Sequence, residues 1–305
     1  MPELPDIELY LAALAPRIVD QPLESMRLAS PFLVRSFDPP GDAVVNQRIR
    51  GLRRLGKRIV WVFDEELFAV FHLMIAGRFR WKERGAPIPG KVGLAAFDFP
   101  AGTLILTEAG SKRQASLYFV RGEEALRAHD PGGIEVLPSS PAEFAAALRR
   151  ENHTIKRALT DPHLLSGIGN AYSDEILHAA KMSPMKPTAN MTDEEIAHLH
   201  GVTIAVLTKW RHQLQKETGD GFPEKVTAFR EGMAVHGRYG KPCPVCGTPV
   251  QRIRYAANEA NYCPTCQTGG KLLADRSLSR LLKDDWPRSL EELEQRKQTL
   301  RGRRP

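Results

Sequence analysis

Over the first ~120 residues the apolar positions come in short runs rich in Val, Ile, Phe and Trp, separated by Gly and Pro. Examples are 58–63, 67–74, 93–99, 103–107 and 116–120. β-Branched and aromatic side chains suit a pleated, half-buried surface, so these runs predict strands. Strands this closely spaced predict a β-sandwich or a flattened barrel. A helix over residues 5–15 is predicted to precede them.

After Asp130-Pro131-Gly132-Gly133 the period changes. Helical patterns cover 141–150, 154–161, 171–180 and 192–215. The last follows Asn190-Met191-Thr192-Asp193-Glu194, a start signal of the capping-box kind. Pro138–Pro141 reads as the hinge between the two halves. The final stretch, 296–305, carries five basic residues and no acid and is expected to be an unstructured tail.

The composition adds limits. The 305 residues are 42% hydrophobic and 7% aromatic, enough for two domains with their own cores. No stretch approaches the apolar length of a membrane span, and MPELPDIELY has acids where a signal peptide carries basic residues. A soluble, cytoplasmic protein is expected. The formal net charge of +7 suits a polyanionic partner, although a basic surface alone is equally a solvated face.

The only four cysteines, Cys243, Cys246, Cys263 and Cys266, form C-x2-C-x16-C-x2-C. Four thiolates at this spacing are suited to one structural zinc. Two disulfides are the alternative, disfavoured in an intracellular chain.

Three further segments carry candidate chemistry. Removal of Met1 would turn Pro2 into a terminal secondary amine, and α-amino groups titrate near 7.7–8.0, far below lysine. A neutral amine can attack a sugar C1′ and form an iminium, with Glu3 as general acid or base. On its own, Pro2 signals only a trimmed terminus. Lys57, in Gly56-Lys57-Arg58, could meet a phosphate, or merely keep a strand edge soluble. Ser166-Gly167-Ile168-Gly169-Asn170 opens a helix whose N-terminus could grip a phosphate, with Asn170 as a side-chain donor. A purely structural helix–turn–helix would use a similar turn.

PELPDIE, GKR, His72-Leu73 through Gly77, GIGN-x-Y-x-DEIL and PCPxCG…YCPxCQ occur here in one order. In these motifs the chain resembles the formamidopyrimidine-DNA glycosylase/endonuclease VIII family over nearly its full length. The resemblance implies an α+β, multi-domain protein. It would comprise an N-terminal catalytic β-sandwich with a leading helix (1–125), a linker (126–141), a helix–two-turn–helix DNA-binding domain (142–232), a zinc-finger hairpin (233–270) and a tail (271–305). It implies a bifunctional glycosylase/AP lyase for oxidised bases, a monomer acting on damaged double-stranded DNA with no small-molecule cofactor. An enzyme for oxidised pyrimidines, a lyase without excision and a non-catalytic lesion binder are the alternatives. Pro2, Glu3 and Lys57 match catalytic positions; Lys57, His72 and Asn170 match phosphate-holding ones.

Several positions depart from the family pattern. Asp6 stands where the family commonly has Glu. The family's arginine- and phenylalanine-bearing wedge turn is replaced by Glu108 through Ser116, which has no aromatic. Filling the gap left by a flipped base would fall to Arg113 and to Met74 or Ile75, with Lys112 as a further DNA contact. Met74 and Ile75 also read as strand residues, one of them in the core. Asn258 takes the place of a phosphate-gripping arginine in the zinc hairpin. The 219–227 loop, GDGFPEKVT, does not map onto the family's base-capping loop.

Overall fold

The computed structural model describes residues 1–110, 112–255, 258–274, 287 and 289–301. The chain divides into two units. One comprises Met1–Glu135 with Leu207–Ala228; the other comprises Val136–Val206 with the described residues from Phe229 onward.

The first unit opens with α1 (Leu4–Ile18), and the short α2 (Glu123–Arg127) follows its last strand. Two four-stranded antiparallel sheets follow. One has the order β1 (Ser25–Leu28), β6 (Gly93–Phe99), β7 (Gly102–Glu108), β5 (Gly77–Lys82). The other has β2 (Gly51–Leu55), β3 (Arg58–Val62), β4 (Leu67–His72), β8 (Ser116–Arg121). Strand alternation sends Ile59, Trp61, Ala69, Phe71, Leu117 and Phe119 inward from the second sheet. Phe79, Ala95, Phe97, Phe99, Leu104 and Leu106 meet them from the first, and Ile7, Tyr10, Leu14 and Ile18 of α1 seal the same core. Trp61 packs on Phe71 and Phe97 with ring centroids 4.6 and 5.1 Å away, within the range of favourable aromatic pairs. This is the expected sandwich.

The 219–227 loop belongs to the first unit because Phe222 and Val226 enter its core. Arg17 also donates to Asp220 O at 2.8 Å, and Arg78 donates to Val226 O.

The second unit contains α3 (Pro141–Arg149), α4 (Ile155–Thr160) and α5 (Asn170–Ala179), together with the first part of α6 (Asp193–Thr218). The start signal read before α6 is a capping box in the structure, and α3 carries a second one. Ser140 and Glu143 form a capping box on α3. On α6, Glu195 N donates to Thr192 Oγ1 at 3.2 Å while Thr192 N donates to Glu195 Oε2 at 3.0 Å. β9 (Gln251–Tyr255) and β10 (Asn258–Tyr262) form the zinc hairpin, followed by the short α7 (Pro264–Thr268).

The expected tail is helical over Leu290–Arg301, where Ser289 Oγ accepts from Glu292 N and Glu291 and Glu292 occupy the first turn. Residues 302–305 lie outside the described part. No helix among the described residues is long and apolar enough to cross a membrane.

Candidate functional site

The amino terminus sits where α1 begins. Pro2 and Glu3 are buried, and Glu3 caps the helix in extended conformation. Asp6 accepts a hydrogen bond from Glu3 N at 2.8 Å and is only 1% exposed. The shorter acid at position 6 thus fixes the backbone of the residue beside the terminal proline. Burial lowers the pKa of the terminal amine, which Met1 carries here; Glu3 opposes that shift, while Arg78 and Lys57 reinforce it.

Lys57 lies in the two-residue turn joining β2 to β3. Burial pushes its pKa down, and the Glu3 carboxylate pulls it back up. His72 ends β4 opposite Arg58 and Ser116. Burial, with the positive charges of Arg58 and Lys57, lowers His72 to about 4, so its imidazole is neutral at physiological pH. Pro2, Glu3, Lys57 and His72 therefore gather at one end of the first unit.

The residues expected to wedge are arranged differently from a strand. β4 stops at His72, and 74–76 form a turn closed by Gly77 N donating to Leu73 O at 2.8 Å. A Cβ at Gly77 would lie 2.2 Å from that oxygen, so the turn requires glycine there. Met74 adopts φ 52 and is half-buried; Ile75, at the turn, is 65% exposed. Neither is a core residue, which corrects the expectation for one of them.

Arg78 pins this turn, donating to Ile75 O at 3.0 Å and to Gly77 O at 2.6 Å. In the second loop, Lys112 and Arg113 are exposed, and Arg113 donates to Lys91 O. The base of that loop is held by Glu108, 2% exposed, which accepts from Gln114 N and Ala115 N at 3.0 Å. The sequence offered no reading of Arg78 or Glu108; the only trace was a lone acid ending the apolar strand β7.

In the second unit Asn170 is half-buried at the first turn of α5, after Gly167 at φ 84. Lys156, 5% exposed, donates to Asn170 O and Ser173 Oγ, both at 2.7 Å, and pairs with Asp174. Asp174 also accepts from Asn261 of β10 and contacts His236 Nδ1 at 2.7 Å. Glu175 accepts from the backbone N–H groups of Ala234, Val235 and His236. This network joins the start of α5 to the zinc hairpin, and none of it was foreseen from the residues alone. Asn258 pairs with Tyr255 in the hairpin ladder, while its side chain lies outside the described part.

The four cysteine sulfurs lie within 4.8 Å of one another, and none is in a disulfide. Their separations include 3.9 Å for Cys243–Cys266, 3.4 Å for Cys246–Cys263 and 3.5 Å for Cys246–Cys266. A tetrahedron with Zn–S bonds of ~2.3 Å has sulfur–sulfur edges of about 3.8 Å, so the set fits one structural zinc. His178 Nε2 is 3.2 Å from Cys243 Sγ, and Gln267 bridges Cys263 N to Met182 O, so helical residues brace the ligands.

Three family models match the chain. These are the formamidopyrimidine-DNA glycosylase N-terminal domain over residues 1–115, the H2TH domain of the same enzymes over 135–216, and the zinc finger found in FPG and IleRS over 240–269. A formamidopyrimidine-DNA glycosylase of Geobacillus kaustophilus is 30% identical over 276 residues, covering 88% of this chain and 100% of the relative. An uncharacterized formamidopyrimidine-DNA glycosylase-like protein of Mycobacterium tuberculosis is 42% identical over 151 residues, 50% of this chain and 94% of its own. The Lactococcus lactis formamidopyrimidine-DNA glycosylase bound to AP-site DNA superposes with a TM-score of 0.76 at 26% identity, covering 87% of this chain and 99% of that one. The sandwich, the Asn170 helix start and the four-cysteine hairpin are thus the parts of a known enzyme, and the chain belongs to the formamidopyrimidine-DNA glycosylase family.

Proposed function

We propose that the protein, once Met1 is removed, excises oxidised bases from double-stranded DNA and then nicks the strand, with the Pro2 amine as nucleophile. The observation that carries this reading is the burial of Pro2 and Glu3 within electrostatic reach of Lys57, at a terminus where burial already lowers the pKa of the Met1 amine. Depressing the amine's pKa raises its unprotonated, nucleophilic fraction at neutral pH.

The target nucleotide must leave the stack before any amine can reach C1′. The Pro2 nitrogen lone pair attacks C1′, and the base departs with the electrons of the N-glycosidic bond and takes up a proton. The C1′–O4′ bond then opens to the iminium, with Glu3 delivering the proton to O4′. Loss of a C2′ proton expels the 3′ phosphate, and a second elimination expels the 5′ phosphate. Lys57, His72 and Asn170 hold phosphates near the lesion, and Ile75, Met74 and Arg113, with Lys112 beside them, fill the vacated stack. The protein acts as a monomer and needs no small-molecule cofactor.

Formamidopyrimidines and 8-oxoguanine are the proposed substrates. Oxidised pyrimidines are the second reading, favoured by the similar Lactococcus lactis structure that holds an oxidised-pyrimidine-containing DNA.

Borohydride trapping on abasic-site duplex tests the chemistry. Processed wild type is expected to give a covalent adduct and Pro2→Gly none, while both bind the duplex. Absence of an adduct from wild type would sink the enzyme reading. Trapping on abasic DNA without release of any base from a lesion panel would reduce the activity to that of a lyase.

A further inference from the structure

The chemistry proposed above leaves Arg58 without a role, yet its surroundings are unusual. It opens β3 and stands directly opposite His72 in the β3–β4 ladder, so the two side chains leave the sheet on the same face. That face continues with Val60, Val70 and Tyr118, and the His129 ring lies 4.7 Å from the Tyr118 ring. Arg58 Nε is buried and has no hydrogen-bond partner, and the guanidinium makes no ion pair among the described residues. Asp130 is within electrostatic reach, but it is exposed and its Oδ1 accepts from Gly132 N instead.

Other partly buried arginines of this unit are matched internally. Arg54 is held by Glu8 and Glu135, and Arg27 by Asp98. Arg58 instead follows Lys57 in the chain and faces His72, whose pKa the two cations help to lower. A half-buried guanidinium whose Nε is buried without a partner, next to another cation, is costly until an anion arrives. Burial accordingly lowers its pKa, with Tyr118 and Asp130 only partly opposing.

We infer that Arg58 binds a backbone phosphodiester of the damaged strand, beside the phosphates assigned to Lys57 and His72. The guanidinium fork suits two phosphate oxygens at once, which a lysine cannot match. This inference rests on the DNA-binding reading above.

The experiment compares wild type, Arg58→Met and Arg58→Lys on a duplex carrying a tetrahydrofuran abasic analogue, with affinity measured across a salt series and urea stability in parallel. For Arg58→Met, the slope of log K against log salt should become shallower by about 0.9. Affinity should fall about ten- to a hundredfold, with urea stability unchanged or raised. Arg58→Lys should keep the wild-type slope and lose part of the affinity. A methylphosphonate at the contacted phosphate should weaken wild type but leave Arg58→Met unaffected.

An unchanged slope in Arg58→Met, or a stability loss that accounts for its weaker binding, overturns the assignment. Should Arg58→Met fail to fold, wild-type affinity and slope in Arg58→Lys, with no methylphosphonate position weakening it less than wild type, overturns it equally. Failure of wild type itself to bind the duplex would strike the proposed function rather than Arg58.

Discussion

The molecule buries charge in two places and balances it in opposite ways. In the second unit, Lys156 and Asp174 are 5% and 1% exposed and satisfy each other, with Asn170 O, Ser173, His236 and Asn261 completing their shells. In the first, Lys57, Arg58 and His72 crowd one end of a sheet with no carboxylate paired to Arg58 and only Glu3 working to keep Lys57 charged. A charge whose partners lie within the fold holds elements together. Lys57 and Arg58, left short of partners beside a neutral His72, are the cations proposed above to meet an anion that the chain does not supply. The contrast separates structural from functional charge without reference to any relative.

Stripping the zinc should break the balanced side most severely. Structural zinc contributes on the order of 10 kcal/mol of binding free energy in small zinc modules. Chelation should therefore melt the β9–β10 hairpin and release the Asn261–Asp174 contact, read as lost amide-exchange protection over 243–266 while the sandwich core stays protected. Equal loss in both units would mean that the hairpin is not a separate element.

Asp174→Ala should come next. It leaves Lys156 buried without its counter-ion, a change that typically costs about 3–5 kcal/mol. Urea denaturation should show the loss, and the double change Asp174→Leu with Lys156→Met should recover much of it, because apolar groups of similar volume remove the unpaired charge. No recovery would mean that the network does more than balance charge.

The smallest effect belongs to His72. Its pKa falls from 6.5 in the unfolded chain to about 4 in the fold, so the unfolded state binds the proton more tightly. The stability this histidine contributes is complete above about 6.5 and is lost as the pH falls toward about 4. Against His72→Phe, wild type should lose stability more steeply across that window. Parallel curves would show that the imidazole is not held neutral by its surroundings.

Much of this architecture was legible along the chain. Short β-branched and aromatic runs between Gly and Pro gave the sandwich strands, Asn190 through Glu194 marked the start of α6, and cysteine spacing gave a metal set whose sulfurs then proved to lie at zinc distances. These features depend on neighbours close in sequence, where local geometry decides the outcome. Other features could not be read that way. Met74 and Ile75 continue an apolar run, yet the contact of Gly77 N with Leu73 O folds them into a turn. The 219–227 loop carries no clear pattern and joins the sandwich because Phe222 and Val226 find space in that core.

Charge was the least legible of all. The sequence by itself determined the family motifs, the sandwich and the cysteine quartet. Only the tertiary structure decided that Asp6 caps Glu3, that Glu108 holds a loop by its backbone and that Lys156 is balanced while Arg58 is not. The physical reason is that a charge's cost depends on the water it loses and the partners it meets, and those partners arrive from distant parts of the chain.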